Sequence, residues 1–288
     1  MSDVWAIVLV FGGEDVTAAC IESLLAQDYA TLTVLLVDNA SHDGVGARLR
    51  ACFPRIRYLD TGANLGYAAG NNRGIEHALA QGADYLFVLN NDTTLEPRCV
   101  SLLVDTAKSQ ERVGLVAPKI LYFDQPSRIW YAGGDFSARK ALGDHRRQMQ
   151  PDTPHEPPRA ERITFASGCA FLMPAKVARK LSGFAEDFFM YCEDVDLSLR
   201  VRKADYRLYY QPAARVYHRE NPVHNPTAFQ IRLRDRNRRR VVRRYYSAVD
   251  RLRFAVWFYP TRMIRLAQYL LRGDLPRARA IVEGATDR

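Results

Sequence analysis

Short, nearly unbroken apolar runs, each followed by a stretch with helical spacing, constrain this chain more than any other feature. VWAIVLVF (4–11), TLTVLLV (31–37), IRYL (56–59), DYLFVL (84–89) and VGLVAP (113–118) are strand-sized and rich in β-branched residues. A strand wetted on one face alternates apolar with polar residues, whereas a strand covered on both faces does not, so these runs predict fully covered strands. Between them Ala18, Ile21, Leu24 and Leu25 recur at helical spacing, as do Ile75, Ala78 and Leu79, and Val100, Leu103 and Val104. The order predicts an α/β fold with a doubly wound, mostly parallel sheet. Further on, ITFASGCAFLM and ARVYH read as strands and PAKVARKL as a short helix opened by Pro174.

Such sheets bind ligands beyond the carboxyl ends of their strands, so the residues that follow each strand carry the functional signal. One strand runs into DNASHDG at Asp38, another into NNDTT at Asn90, Asn91 and Asp92. NLGYAAGNNRG (64–74), with Asn64 and Arg73, follows the short third strand and opens a helix; it matches neither the dinucleotide fingerprint nor a P-loop. Asp38 is either the head of an Asx-turn or a ligand contact, and Asp92 either caps a helix or binds. In FFMYCEDVDLSLR, Glu193, Asp194 and Asp196 stand at a helix start, where one acid is enough for capping. The apolar run Phe188 to Tyr191 before them lowers the local dielectric and can tune a carboxylate toward general-base work. His218 is a structural histidine or a ligand; with Asp92 it would suffice for a hard divalent cation on a diphosphate.

Residues 124–161 are rich in proline and charge and have no period, which predicts a flexible loop at a donor or acceptor site. The tail differs in charge: residues 226–288 hold 16 basic and 5 acidic residues, a net +11, leaving −2 for residues 1–225 of the chain's +9. A domain boundary is therefore expected within ENPVHNPT, separating a catalytic domain (1–225) from a basic amphipathic helical extension (226–288). Its arginines interleave with Phe254, Trp257, Phe258, Met263, Leu266 and Leu270, which fits either an anionic membrane surface or packing on the main domain. Five scattered cysteines without a CxxC pair indicate neither a disulfide framework nor a zinc site. The start, MSDVWAIVLVFGG, has no basic n-region, so export is not expected, and Pro260, Arg262 and Arg265 interrupt the most apolar late stretch.

Taken in order, VDNASHDG, NLGYAAGNNRG, LNNDT, SGCAFLM, FFMYCEDVDLSLR and RVYH resemble the family-2 inverting glycosyltransferases with the GT-A fold, especially their bacterial rhamnosyltransferase-like branch, over roughly residues 4 to 220. The resemblance implies transfer of a sugar, L-rhamnose for preference, from a dTDP- or UDP-sugar to a glycan acceptor. It implies that Asp38 holds the base or ribose and that NND stands at the family's DxD metal motif, with Asp92 on Mg2+ or Mn2+. Asn90 replaces that motif's first Asp. Asp194 matches the catalytic base, Glu193 its acidic neighbour, and His218 a histidine that completes the metal shell in some members. Asn64 and Asn91 join the donor side; Arg73 is either a phosphate contact or a solvated helix charge. Phe11-Gly12-Gly13 departs from the Tyr-Asn that often follows the family's first strand. Relatives often use polyprenyl-diphosphate-linked acceptors, implying a cytoplasmic enzyme peripheral on the inner face of the plasma membrane in cell-wall polysaccharide synthesis. Two other classes share part of the pattern. A sugar nucleotidyltransferase would want a basic glycine loop after the first strand, and a nucleic-acid-binding module would leave the ordered acids unexplained.

Overall fold

The apolar runs form the strands they predict. A computed structural model describes residues 1–153, 159–220 and 225–287. β1 (Val4–Val10), α1 (Glu14–Leu25), β2 (Leu32–Asp38), α2 (Val45–Cys52), β3 (Arg57–Asp60), α3 (Gly66–Ala80) and β4 (Tyr85–Asn90) alternate along the first third. β1 lies between β2 and β4, parallel to both, with Val4 opposite Leu32 on one side and Tyr85 on the other. There follow β5 (Thr93–Leu95), α4 (Cys99–Ser109), β6 (Val113–Tyr122), β7 (Ile129–Tyr131), β8 (Gly134–Ser137), β9 (Leu142–His145), β10 (Glu161–Ile163) and β11 (Ala170–Pro174). The chain closes with α5 (Ala175–Leu181), a single 3-10 turn (Glu186–Phe188), α6 (Glu193–Lys203), β12 (Arg207–His218), α7 (Ala228–Tyr245), α8 (Ala248–Leu271) and α9 (Leu275–Thr286).

The main sheet runs β10-β12-β6-β11-β4-β1-β2-β3, parallel along this path except where β11 passes antiparallel between β4 and β6 and where β10 closes the edge, and β5 and β7 add antiparallel pairs to β12 and β6. Ile7, Phe87 and Phe171 are wholly buried in it, as strands covered on both faces require. α3 lies close on this sheet because its glycines leave room: a Cβ on Gly74 would come within 2.5 Å of Ile7. Gly66 has φ +79, and a Cβ there would come within 2.4 Å of the Phe189 ring and 2.6 Å of the Phe189 carbonyl. The glycines of NLGYAAGNNRG therefore serve helix packing and the approach of the 189 loop.

Two expectations need correction. The segment 124–161, expected as a flexible loop, is built into the fold, residues 154–158 lying outside those described. β7 pairs with β6, and β8 and β9 form a hairpin. The Tyr131 hydroxyl donates to the Phe165 carbonyl at 2.8 Å, and Arg146 pairs with Asp135 at 2.7 Å. Periodicity missed these strands because they are three or four residues long and mostly half-exposed. In the extension, Phe254 and Phe258, offered for a membrane surface, pack on the main domain instead. Val241, Tyr246, Phe254 and Phe258 belong to the same hydrophobic core as the sheet. Phe254 and Phe258 are buried, so they are unavailable to a membrane; burial of such a side chain contributes about 1.5–3 kcal/mol that insertion would forfeit. Half of the expected boundary stretch, residues 221–224, lies outside the described residues.

Candidate active site

At the carboxyl ends of β1 and β4 the chain encloses a cavity of about 760 Å³. One wall comes from strand ends. Phe11 follows β1, Asn90 ends β4, Asn91 and Asp92 follow it, and Asn64 precedes α3; all line the cavity. The Asn91 amide donates to Thr17 Oγ1 at 2.8 Å, tying the strand end to α1. Asp92 and His218 meet because β5 pairs antiparallel with the end of β12, placing Thr93 opposite His218. His218 Nε2 lies 3.2 Å from Asp92 Oδ1, and the Asp92 carbonyl accepts from the Arg219 N–H at 3.0 Å. Trp130 packs edge-on against the His218 ring with centroids 4.8 Å apart.

The opposite wall is the start of α6. Asp194 is partly open to the cavity, and its two oxygens accept from the Gly168 N–H at 3.0 Å and the Val195 N–H at 2.8 Å. Glu193 is buried, and its Oε2 has no hydrogen-bond partner among the described residues. Burial raises both carboxyls above their ordinary range, but the environments separate them. For Glu193 the charge of Asp194 adds to burial, pushing it well up, whereas for Asp194 the N–H donors and the Arg234 charge pull back down. The pair therefore favours a protonated Glu193 beside an ionised Asp194. The third acid, Asp196, is wholly buried and bound by Arg200, Arg244 and the Tyr245 hydroxyl at 2.6–2.7 Å, which makes it structural.

The loop delivering these acids is contorted. Phe189, Tyr191 and Cys192 have φ of 53°, 70° and 65°, left-handed values that cost about 1–3 kcal/mol each for such side chains. The Phe189 carbonyl accepts from the Tyr67 and Ala68 N–H groups at the start of α3, at 2.6 and 3.2 Å. The Tyr67 hydroxyl donates to the Gly168 carbonyl at 2.6 Å, so α3, the 168 turn and Asp194 form one connected unit.

Two expected site residues lie elsewhere. Asp38 is buried and heads the Asx-turn: Oδ1 accepts from the Ser41 N–H at 2.9 Å and Oδ2 from the Tyr58 hydroxyl at 3.1 Å, while its neighbour Asn39 faces the cavity. Arg73 sits on the exposed face of α3, between buried Asn72 and Gly74, and pairs with Glu76 at 2.9 Å. Sequence reasoning did not find Tyr67, Gly168, Trp130, His145 or Arg234, all of which line the cavity. Burial holds the His145 imidazole down to about 4, so it is neutral and serves as an aromatic wall. Arg234 comes from α7, inside what reads as a simple charge run.

The donor set suits a hard divalent cation. Asp92 Oδ1 and His218 Nε2 face each other at 3.2 Å on the cavity wall, and one carboxylate with one imidazole is a common protein share of a metal–diphosphate site. No cluster of three or more metal-ligating side chains occurs among the described residues, so diphosphate and water would complete the shell.

This sheet, with a cavity at the strand ends and an acid pair facing it, has a GT-A-type fold. The chain belongs to glycosyl transferase family 2, whose model matches residues 5–182. It is 32% identical over 206 residues to an N-acetylglucosaminyl-diphospho-decaprenol L-rhamnosyltransferase of Mycobacterium tuberculosis, covering 65% of this chain and 66% of that protein. Among solved structures it resembles GalNAc-T7 with UDP, GalNAc and Mn2+, at TM-score 0.70 and 14% identity over 88% of this chain and 50% of the other. It also resembles a mannosyltransferase from Pyrobaculum calidifontis in complex with GDP-Man and Mn2+, at TM-score 0.59 and 18% identity over 98% of this chain and 79% of the other.

Proposed function

We propose that the chain transfers a sugar from a nucleotide diphosphate donor, dTDP-L-rhamnose for preference, to a hydroxyl of a lipid-linked glycan, with inversion. The observation that carries this reading is the single cavity in which the Asp92–His218 pair at the strand ends shares space with Asp194 at the start of α6. Phe11, Asn64, Asn90 and Asn91 would contact the nucleotide, and Asp92 and His218 would hold Mg2+ or Mn2+. A bound cation supplies Lewis-acid neutralisation of the departing diphosphate. Asp194 accepts the proton of the acceptor hydroxyl as its oxygen attacks the anomeric carbon. The bond to the diphosphate oxygen breaks on the opposite face, and its electron pair leaves with the diphosphate. Protonated Glu193 is placed to donate a hydrogen bond to the acceptor without competing for that proton.

Calorimetric titration with dTDP, UDP and GDP, with and without Mn2+, tests the donor site. Mn2+-dependent binding of one nucleotide is expected, and binding of none would overturn the reading. The sugar nucleotidyltransferase alternative lacks a basic residue in the turn after β1, and a nucleic-acid module is disfavoured because Arg238, Arg244 and Arg262 are engaged within the protein.

A lipid-linked acceptor calls for a membrane-facing surface. No described helix is long and apolar enough to cross a membrane. The outer face of α8 nevertheless exposes Val249, Leu252, Val256, Met263, Leu270 and Leu271, spaced by three, four or seven residues apart from the terminal pair. Leu271 is 89% and Met263 70% exposed, so this stripe replaces the buried Phe254 and Phe258 as the membrane contact. Substituting both Val256→Glu and Met263→Glu should release the protein from vesicles containing anionic lipid, with transfer to a water-soluble acceptor unchanged. Undiminished co-sedimentation would remove the stripe from the reading.

A further inference from the structure

The catalytic loop is held from behind by a helix outside the matched family region. Asn237 of α7 is wholly buried, and its Nδ2 lies 2.8 Å from each of the Phe188, Met190 and Tyr191 carbonyls. Two amide hydrogens thus serve three acceptors on the segment that contains the left-handed Phe189 and Tyr191. The same helix grips both ends of that segment. Arg240 and Arg244 bond Asp187 and lie over the Phe188 ring, and Arg244 and Tyr245 bond Asp196 inside α6. It also reaches the β8–β9 turn, where Arg238 donates to the Lys140 carbonyl at 2.8 Å and the hydroxyl of Tyr246, just past the helix end, donates to the Ala138 carbonyl.

We infer that α7 is the positioning element of this active site, and that Asn237 fixes the 188–192 loop in the strained shape that presents Asp194 to the acceptor. A side chain that merely filled space there would not need three carbonyls aimed at one amide. Left-handed residues persist only where their surroundings over-determine them, and Asn237 supplies that determination from the side remote from the cavity. The inference rests on Asp194 being the base. The donor-side groups Phe11, Asn91, Asp92 and His218 hang from β1, β4 and β12 instead, so donor binding should be indifferent to Asn237.

The test is Asn237→Leu in the full chain, which keeps the side chain's volume and removes its donors. The expected result is a folded protein whose kcat falls at least tenfold, whose donor KM stays within twofold, and whose kcat–pH profile shifts on its acid side as the Glu193–Asp194 pair loosens. Asn237→Ser, which restores one donor, should recover part of the loss. Wild-type kcat in folded Asn237→Leu would overturn the inference. So would kcat, donor affinity and melting temperature falling together. Should the leucine variant not fold, the serine variant is expected to show at least threefold lower kcat at unchanged donor KM, and wild-type kcat there would overturn it. Failure of both to fold would also overturn it, since the bonds would then hold the whole fold. Asp194→Asn measured in parallel separates the two ideas: retained turnover there removes the base assignment, whereas an inactive Asp194→Asn beside a wild-type-like Asn237→Leu removes only the clamp.

Discussion

Replacing Asp194 by Asn should lower sugar transfer by about 10²–10⁴-fold, the range for losing a positioned proton acceptor, while donor affinity measured by calorimetry stays within about threefold. The substitution keeps the size of the side chain. It also keeps a carbonyl oxygen able to accept from either the Gly168 or the Val195 N–H, so the start of α6 retains much of its anchoring. What disappears is the lone pair that takes the acceptor proton. The reciprocal change, Glu193→Gln, mimics the protonated state that burial and the Asp194 charge favour, and should leave turnover within about tenfold of wild type. A result with the two variants exchanged would transfer the base role to Glu193. The pH dependence follows from the same environments. A general base works only when deprotonated, and the Asp194 pKa is raised, chiefly by burial. Activity should therefore be lost as pH falls through a midpoint above the ordinary aspartate value of about 3.9, and be fully present above it. An acid limb at or below that value would contradict the buried, paired state of Asp194.

The parts of the fold legible in the sequence are those in which one physical pressure acts alone. β1, β2, β4 and β6 are covered on both faces, so burial forces continuous apolarity and the strands can be read directly. The acids at strand ends are legible for the same reason, because a charge directly after such a run needs a cause. Legibility fails where two pressures compete. α8 carries apolar residues all around its circumference, and period alone does not say that Phe254 and Phe258 face the core while Val256 and Met263 face out. In α7, Asn237 stands in RDRNRRR, where every neighbour suggests a solvated charged face, yet Asp235, Asn237 and Arg238 are buried. No local pattern signals them, because Asn237 bonds the 188–191 segment 46 or more residues earlier, Arg238 bonds the Lys140 carbonyl 98 residues earlier, and Asp235 pairs with Arg262 27 residues later. Asp38 shows the converse: its turn chemistry was visible in the sequence, and the structure uses it for the turn.

Substituting Asp92→Ala should abolish the Mn2+-dependent part of donor binding, a loss of about 10–100-fold or more in nucleotide affinity with the metal present, while affinity measured without metal stays as in wild type. That split separates a lost ligand from a damaged fold. The main-chain carbonyl of residue 92 still accepts from the Arg219 N–H, and β5 still pairs with β12, so the strand end that carries Asn90 and Asn91 keeps its place. His218→Ala should reproduce the effect more weakly, since the imidazole contributes no formal charge when neutral, and the double variant should be no worse than Asp92→Ala if both act through one cation. Asn90 sharpens the prediction. With a neutral amide at Asn90, two residues before Asp92, that strand end carries one carboxylate, so Mn2+ alone should bind far more weakly than Mn2+ with the nucleotide diphosphate, whose oxygens supply the missing negative charge. Tight binding of Mn2+ to the free wild-type protein, or undiminished Mn2+ stimulation in Asp92→Ala, would place the cation on other residues of the cavity.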